Sequence, residues 1–234
     1  MDNLIFVTPT YKNPKRVFFI NQCITAFRTI QNLIWILCED DNSIDIEINE
    51  MLSKSGITYK YLSFGPTKDK GNEQRNICYE YIVNNNINGI VYNADDDNEY
   101  DLKLFDEIKK TKNISIFPVG NIGPNNIERP IIQNGKILYW DAGWLERRFP
   151  VDMGGFAFNS KYLYKKKNEN NKLWDHYGLG GESEFINYIT NNDDDLEFLC
   201  DNCNQCYVMH NELHKKFIIS SIISSITLRF NEKV

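Results

Sequence analysis

The sequence predicts an α/β protein in which a mainly parallel, Rossmann-like sheet carries helices on both faces and a smaller mixed β region follows. In the first half of the 234 residues, apolar runs of strand length alternate with segments whose apolar residues have helical spacing. Such alternation is typical of a parallel sheet covered by helices. In the second half the apolar runs are short and are separated by Gly and Pro, which is typical of antiparallel strands.

Four strands and three helices are predicted in the first half, each from its own pattern. Runs rich in Ile, Val, Tyr and Phe predict strands, and apolar residues three or four positions apart predict helices. The strands are expected at 3–10, 33–40, 58–64 and 89–97, and the helices at 16–30, 45–56 and 72–86.

The second half is predicted to hold short strands, a polar insertion and one clear helix. The helix begins with glycines and acids, which are good residues for a helix start. The strand-like segments are at 115–123, 128–144 and 149–159, the insertion KKKNENNK is at 165–172, and the helix is at 180–192.

Composition limits the class of protein. Hydrophobic residues make up 42% of the chain and charged residues 25%, as in ordinary globular domains. We expect one compact unit with two halves, 1–98 and 99–216, followed by an apolar tail at 217–234. The net charge of −6 argues against a nucleic-acid-binding protein, because it offers no basic surplus to neutralise phosphates.

The N-terminus and the cysteines indicate a compartment. The chain begins on a strand-like run without a basic or long apolar segment before it, so no signal peptide is predicted. No window reaches the roughly 18 apolar residues of a membrane span. The six cysteines are therefore expected to be reduced thiols in a cytoplasmic protein.

Polar side chains follow three of the predicted parallel strands at the point where each strand ends. The carboxyl ends of parallel strands meet at one edge of a sheet, and ligands of such sheets bind there. The sequence therefore predicts a ligand site at this edge. The residues are Pro9, Thr10 and Tyr11 after the first strand, Glu39 and Asp40 after the second, and Asp95, Asp96 and Asp97 after the fourth.

The three adjacent aspartates repel one another, so a function that makes the repulsion tolerable is expected. Carboxylates at a strand end suit a hard divalent cation that is shared with substrate phosphates. The alternative is an N-cap with first-turn acids ahead of the helical segment YDLKLFDEIKKT, which would complement the helix dipole. A second triplet, 193–195, follows no apolar strand and is expected to be a solvated loop.

Candidate acid–base residues lie in the second half of the chain. His210 follows the strand-like CYVM and suits either an ordinary satisfied polar residue or a hydrogen-bond donor to a phosphate. Glu182 lies at a helix start, where it would either offset the helix dipole or serve as a general base. Glu184 competes with Glu182 for the second role.

Three cysteines near the end of the chain have the spacing C-x2-C-x2-C. A structural zinc ion would need a fourth ligand, which His210 could supply. Packed thiols are the favoured interpretation, because no second pair of ligands follows. The cysteines are Cys200, Cys203 and Cys206.

Read in order, these segments resemble glycosyltransferase family 43, the inverting β-1,3-glucuronyltransferases. The resemblance covers residues 3–212, and the combination of EQRN, ADDDN and FPVDM-GFA in this order is specific. The matching segments are VTPTY at 7–11, WILCED at 35–40, KGNEQRN at 70–76, GIVYNADDDNEYDLKLFDEI at 89–108, SIFPVGNIG at 115–123, FPVDMGGFAFN at 149–159, GGESEF at 180–185 and VMH at 208–210.

The resemblance implies a GT-A fold, with a half that binds a UDP-sugar joined to a half that binds the acceptor. Tyr11 would stack on the uracil base and Asp40 would accept a hydrogen bond from it. Asp97 would bind Mn²⁺, or Mg²⁺ in its place, and the ion would bridge the two phosphates. The implied nucleotide and donor residues are Pro9, Thr10, Tyr11, Asp40, Lys70, Arg75, Asp95, Asp96 and His210.

For the second half, the resemblance implies a catalytic and acceptor role. Glu182 would be the catalytic base, and Trp144, Arg147 and Asp152 would shape the donor and acceptor pocket. Glucuronate is the first choice of donor sugar, because Arg75 would be a cation able to pair with a uronate carboxylate. UDP-xylose or another UDP-hexose is the alternative, as is a catalytically weak homologue that binds a glycan as a scaffold. The expected partners are the UDP-sugar and a glycan acceptor.

The chain departs from the family pattern at three places. Lys70 stands where an arginine is usual, and Glu212 stands in the region of another usual arginine, where it would be unfavourable beside a diphosphate. The loop before FPVDM is one residue shorter than usual, which leaves Arg148 as the alternative to Arg147. Animal and plant members carry an N-terminal anchor, so a Golgi-lumen location is expected if this chain is an excised catalytic domain. The apolar face at 217–230 is expected to pack on the domain itself, to form a homodimer or to contact a membrane surface.

Overall fold

The computed structural model describes residues 3–68, 71–170 and 181–211, with residues 168–170 described by their backbone alone. The predictions for Lys70, for Glu212 and for the apolar face at 217–230 lie outside the described residues. None of the helices in these ranges is long and apolar enough to cross a membrane.

The order of elements in the first half is the one that the sequence predicts. The fourth strand is shorter than expected, because the chain leaves the sheet after Asn93 and turns into the candidate site. The strands are β1 (Asn3–Thr10), β2 (Leu33–Glu39), β3 (Thr58–Ser63), β4 (Gly89–Asn93), β5 (Asn98–Tyr100), β6 (Ile114–Ile116), β7 (Val119–Gly120), β8 (Ile127–Gln133), β9 (Lys136–Asp141), β10 (Phe156–Asn159), β11 (Leu196–Phe198) and β12 (Val208–His210). The helices are α1 (Arg16–Phe27), α2 (Ile46–Lys54), α3 (Asn72–Asn84), α4 (Leu102–Ile108), α5 (Lys161–Asn170) and α6 (Gly181–Ile189).

The larger sheet has seven strands in the order β11-β6-β10-β4-β1-β2-β3. β1 lies at its centre and is parallel to β2 on one side and to β4 on the other. β10 is antiparallel to both of its neighbours, β4 and β6. Three strands that follow residue 98, β6, β10 and β11, also belong to this sheet, which therefore extends across the predicted division.

Helices cover both faces of the larger sheet, as predicted. Leu4 and Phe6 of β1 pack with residues of α1, α2 and α4 in one core cluster. Ile5 and Val7 alternate with them and pack with α3, α5 and α6 on the other face. Burial of each such side chain contributes roughly 1.5–3 kcal/mol, so the two clusters hold the strand ends in fixed relative positions.

The smaller sheet is mixed and has the order β5-β12-β7-β8-β9. β12 is antiparallel to β5 and parallel to β7. β8 and β9 form a hairpin that turns at Asn134 and Gly135, both with positive φ, as the Asn-Gly pair favours. β12, which lies between β5 and β7 in this sheet, ends at His210 and so brings that residue to the candidate site.

Two segments of the second half differ from the prediction. The polar insertion is helical as far as it is described, because Tyr162 and Leu163 are buried and anchor α5, whose polar residues continue the helix. The segment at 149–159 forms a strand only from Phe156, since Met153–Gly155 makes a 3₁₀ turn capped by Asp152.

Candidate active site

A cavity of about 700 Å³ lies at the carboxyl ends of β1, β2 and β4. The order of the strands changes direction at β1, which has β2 on one side and β4 on the other. Ligands of open α/β sheets bind at such a point. The structure therefore brings together the residues that follow three different strands in the sequence. The cavity is lined by Pro9, Thr10, Tyr11, Asp40, Thr67, Lys68, Gly71, Gln74, Arg75, Asp95, Asp96, Asp97 and His210.

The aspartate triplet does not cap a helix, so that alternative is wrong. β5 separates the triplet from α4, and the N-cap of α4 is Asp101, whose side chain accepts from the Lys103 N–H at 2.9 Å. The second triplet lies in an exposed 3₁₀ turn, where Asp193 pairs with Arg148 at 2.5 Å. Only the first triplet lines the cavity.

Asp96 is held inward by β1. Thr10 Oγ1 donates to Asp96 Oδ2 at 2.7 Å. Burial and the nearby charge of Asp97 raise the pKa of Asp96 to about 7, although the hydrogen bond from Thr10 opposes the shift. The hydrogen bond from Thr10 therefore fixes the position of the Asp96 carboxylate at the cavity.

Asp95 forms an ion pair with Arg75, which lies in the first turns of α3. Burial raises the pKa of Asp95 to about 6 against the charge of Arg75. Gly71 precedes α3 with φ +87°, and a Cβ there would lie 2.9 Å from Pro9 Cβ and 3.1 Å from Arg75 Nη1. The glycine is thus required for Arg75 to reach Asp95 beside Pro9.

This ion pair changes the argument for the donor sugar. The sequence favours glucuronate on the ground that Arg75 is a cation available to a uronate carboxylate. In the structure Asp95 already balances that cation, so Arg75 reaches the cavity as one half of a neutral pair. The charge of Arg75 alone therefore does not select an acidic sugar.

Tyr11 and Asp40 form the wall of the cavity beyond β1 and β2. The Tyr11 ring is half exposed at the cavity mouth, with 51% of its surface accessible. Asp40 Oδ1 accepts from the Thr67 N–H at 2.7 Å and from Gln74 Nε2 at 2.9 Å. A flat aromatic face beside an anchored carboxylate can recognise a planar base that carries an N–H.

His210 reaches the cavity from the smaller sheet and pairs with Asp152, with 3.2 Å between Nε2 and Oδ2. Burial would lower the pKa of His210, but the hydrogen bond and charge of Asp152 raise it to about 9. The same pairing lowers the pKa of Asp152 against the effect of burial. Next to His210, the Asn211 N–H donates to the Asp97 carbonyl at 3.2 Å, so a protonated histidine lies beside the triplet.

Replacing Asp152 with asparagine is expected to lower the pKa of His210 from about 9, because the hydrogen bond and charge of Asp152 are lost, while burial remains and is opposed by the charges of Asp95 and Asp97. In the wild type, the pairing stabilises the folded state below pH 6.5, and this stabilisation is lost as the pH rises through about 9. NMR titration of the histidine rings and urea unfolding against pH measure both effects. Asp106→Asn, at an exposed aspartate of α4, is the control and should leave His210 unchanged.

Glu182, Trp144 and Arg147 form a second group that does not line the cavity. Glu182 nevertheless lies close enough to it to be affected by the charges of Asp152 and Arg75. Glu182 lies in the first turn of α6, where Arg147 Nη1 is 3.5 Å from its Oε2. The guanidinium carbon of Arg147 lies 4.9 Å from the centre of the exposed Trp144 ring. Burial and then the charge of Asp152 raise the pKa of Glu182, which moves it toward the range of a general base.

The three cysteines near His210 are not arranged as a zinc site. The described residues contain no group of three or more histidine, cysteine or acidic side chains that could hold a metal. Cys200 and Cys203 are buried, and the Cys203 thiol lies 3.4 Å from the Ile116 carbonyl. Burial raises the pKa of Cys203 to about 12, so these are packed thiols.

A left-handed turn, which the sequence did not reveal, leads into β12. Each residue from Cys200 to Cys203 has a positive φ, a conformation that costs roughly 1–2 kcal/mol per residue for L-amino acids. Arg129 Nη1 donates to the Cys203 carbonyl at 3.2 Å, and Glu107 Oε2 accepts from the Cys200 N–H at 3.1 Å. These contacts hold the strained turn and so fix the course of the strand that carries His210.

Over most of its length the chain is similar to proteins that are named glucuronosyltransferases. The galactosylgalactosylxylosylprotein 3-beta-glucuronosyltransferase 2 of Rattus norvegicus is 31% identical over 229 residues, which cover 89% of this chain and 68% of the rat protein. The corresponding enzyme P of Drosophila melanogaster is 29% identical, and the match covers 91% of this chain and 46% of the fly protein. The chain thus spans about half to two thirds of the length of these relatives.

The fold is also found among solved structures. Residues 1–349 of S. aureus TarS in complex with UDP-GlcNAc superpose with a TM-score of 0.56 at 13% identity, covering 89% of this chain and 58% of that chain. At this identity the likeness concerns the fold alone, and it confirms the expected GT-A fold. The sequence model of glycosyltransferase family 43 matches residues 23–214. Since that match covers most of the chain and relatives at 31% identity extend over nearly all of it, the chain belongs to glycosyltransferase family 43.

Proposed function

We propose that this glycosyltransferase transfers glucuronate from UDP-glucuronate to a hydroxyl of a glycan acceptor in a single, inverting displacement that forms a β-linkage. The observation that carries the proposal is the convergence of two groups of residues. A cavity with an aromatic and carboxylate wall, an aspartate triplet and a protonated histidine adjoins a glutamate whose pKa is raised. The first group suits a nucleoside diphosphate sugar, and the second suits removal of a hydroxyl proton.

The residues at the triplet fit a divalent cation, Mn²⁺ or Mg²⁺, held through Asp97. All three carboxylates line the cavity, where Asp95 pairs with Arg75 and Asp96 accepts a hydrogen bond from Thr10, and the family resemblance implies Asp97 as the metal ligand. Burial and then the charges of neighbouring aspartates raise the pKa values of Asp95 and Asp96, and a cation would offset both effects on the ionised carboxylates. One carboxylate is enough, since such ions take their other ligands from substrate phosphates and water. A bound ion would supply charge neutralisation for the departing diphosphate.

The protein's own residues account for the rest of the displacement. The acceptor oxygen attacks C1 of the sugar as the bond from C1 to the UDP oxygen breaks. Glu182 takes the proton of the acceptor hydroxyl, and the nearby positive charge of Arg147 favours its ionised form. His210, protonated at neutral pH through Asp152, offers positive charge beside the departing diphosphate. No covalent intermediate is needed.

The choice of glucuronate rests on the relatives and not on Arg75. The rat and fly relatives are named 3-beta-glucuronosyltransferases that act on a galactosylgalactosylxylosyl protein. We therefore propose a galactose-terminated glycan as the first acceptor to try. UDP-xylose or another UDP-hexose is the alternative donor, because Arg75 is already paired with Asp95. The presence of Glu182 and the triplet in one site argues against a scaffold without activity.

The donor is tested by the release of UDP from UDP-glucuronate, UDP-xylose, UDP-glucose, UDP-galactose and UDP-N-acetylglucosamine, with a galactosylgalactose acceptor and with or without Mn²⁺. We expect turnover that requires the metal and favours UDP-glucuronate by at least about tenfold over each competitor. Preference for another donor would overturn the choice of sugar and keep the enzyme class. Binding of UDP without turnover of any donor would favour the scaffold.

A further inference from the structure

Gln74 is buried beneath the wall of the cavity formed by Tyr11 and Asp40. It lies in the first turn of α3, is fully buried and belongs to the residues that surround the cavity. Arg75, the next residue, carries the ion pair with Asp95. Gln74 itself has no part in the transfer reaction described above, so its burial at this position needs another explanation.

The Gln74 amide nitrogen joins three segments of the chain. Nε2 lies 2.8 Å from the Phe64 carbonyl, 2.9 Å from Asp40 Oδ1 and 3.2 Å from Thr67 Oγ1. A carbonyl oxygen and a carboxylate oxygen can only accept, so the amide must present its nitrogen to them. Gln74 therefore ties the residue after β2 and the loop after β3 to the start of α3.

One carboxylate oxygen of Asp40 is occupied by hydrogen bonds from other residues of the protein. Oδ1 accepts from Gln74 and also from the Thr67 N–H at 2.7 Å. The loop approaches this oxygen so closely that a Cβ at Gly65 would lie 2.4 Å from it. With Oδ1 held on one side, the plane of the carboxylate is fixed, and Oδ2 is the oxygen that remains to meet a ligand in the cavity.

We propose that Gln74 is the positioning residue for nucleobase recognition, which it performs by orienting Asp40 toward the N3–H of uracil and so making the site prefer UDP to CDP. The proposal rests on the proposed function. Cytosine carries a lone pair at N3 where uracil carries a hydrogen, so a fixed acceptor opposite N3 favours uracil and repels cytosine. Without Gln74, Asp40 Oδ1 keeps the hydrogen bond from the Thr67 N–H but loses its second donor, so the carboxylate is less constrained and discriminates less between the two bases.

Calorimetry of UDP and CDP binding in Mg²⁺, on the wild type and on Gln74→Met, tests this. The variant keeps the volume of the side chain and removes the donor. We expect the wild type to prefer UDP by at least about tenfold and Gln74→Met to prefer it by less than about threefold. Affinity for inorganic pyrophosphate, which lacks a base, should be equal in both. Gln133→Met, at an exposed glutamine of β8, should keep the wild-type preference.

An unchanged ratio of UDP to CDP affinity in Gln74→Met would overturn the proposal. If that variant does not fold, Gln74→Leu provides the second test, because its apolar side chain also lacks the donor to Asp40. The same loss of preference is expected there, and its retention would be equally contradictory. A wild type that binds neither nucleotide would instead contradict the proposed function, so the two failures are distinguishable.

Discussion

Replacing Glu182 with glutamine is expected to lower kcat for sugar transfer by about 10²–10⁴-fold. An amide cannot take the proton of the acceptor hydroxyl, whereas it keeps the size of the side chain and the contact with Arg147. The Kd for UDP should change by less than about twofold, since Glu182 does not line the cavity. Initial rates of UDP release and calorimetry of UDP binding measure the two quantities on the same preparation.

The pKa of Glu182 gives the same prediction a second readout. Because the base must be ionised and burial raises its pKa, kcat should fall as the pH drops through a value above the ordinary range of glutamate. Glu184→Gln is the matched control, because Glu184 belongs to the same helix and is exposed. It should keep the wild-type rate and pH profile. Unchanged turnover in Glu182→Gln would exclude Glu182 as the base.

Replacing Asp97 with asparagine is expected to lower turnover in Mn²⁺ by at least about a hundredfold, because the carboxylate that is proposed to hold the ion in the cavity would be lost. The affinity for UDP in Mn²⁺ should fall to the value that the wild type shows without metal. Asp95 and Asp96 are not expected to bind the ion in place of Asp97, since Asp95 pairs with Arg75 and Asp96 is held by Thr10. Titration of Mn²⁺ against UDP binding and turnover checks these points.

The second aspartate triplet provides the control for Asp97. Asp194 is exposed in the 3₁₀ turn Asp193–Asp195, away from the residues that line the cavity. Asp194→Asn also replaces an aspartate by asparagine within a run of three aspartates. It should leave the Mn²⁺ dependence of UDP binding and turnover unchanged. A full Mn²⁺ response in Asp97→Asn would contradict the assignment of the cation to this residue.

The order of strands and helices could be predicted because its signals are local. Periodicity within a window of ten to fifteen residues distinguishes α1, β2 and α3, and the parallel arrangement of the strands follows from their alternation with helices. The position of the site follows too, since parallel strands share one carboxyl edge. Thr10, Asp40 and Asp96 could therefore be assigned to one site, although they lie far apart in the sequence.

The pairings within the site could not be predicted, because they join residues that no local pattern connects. His210 and Asp152 are 58 positions apart and meet only because the smaller sheet brings β12 beside the 3₁₀ turn that Asp152 caps. Arg75 was expected to contact the donor without a counter-charge from the protein. Its pairing with Asp95 depends on the direction that the chain takes after β4. Gln74 lies in the motif EQRN, but its role depends on the position of the loop after β3.

The measurement that tests the central claim most directly is the anomeric configuration of the product formed from UDP-glucuronate and a galactosylgalactose acceptor, read by NMR after removal of Mn²⁺. The donor sugar is α-linked to UDP, and a single displacement assisted by Glu182 inverts C1. The account predicts a product linked only in the β configuration. An α-linked product would contradict the single displacement and the role assigned to Glu182.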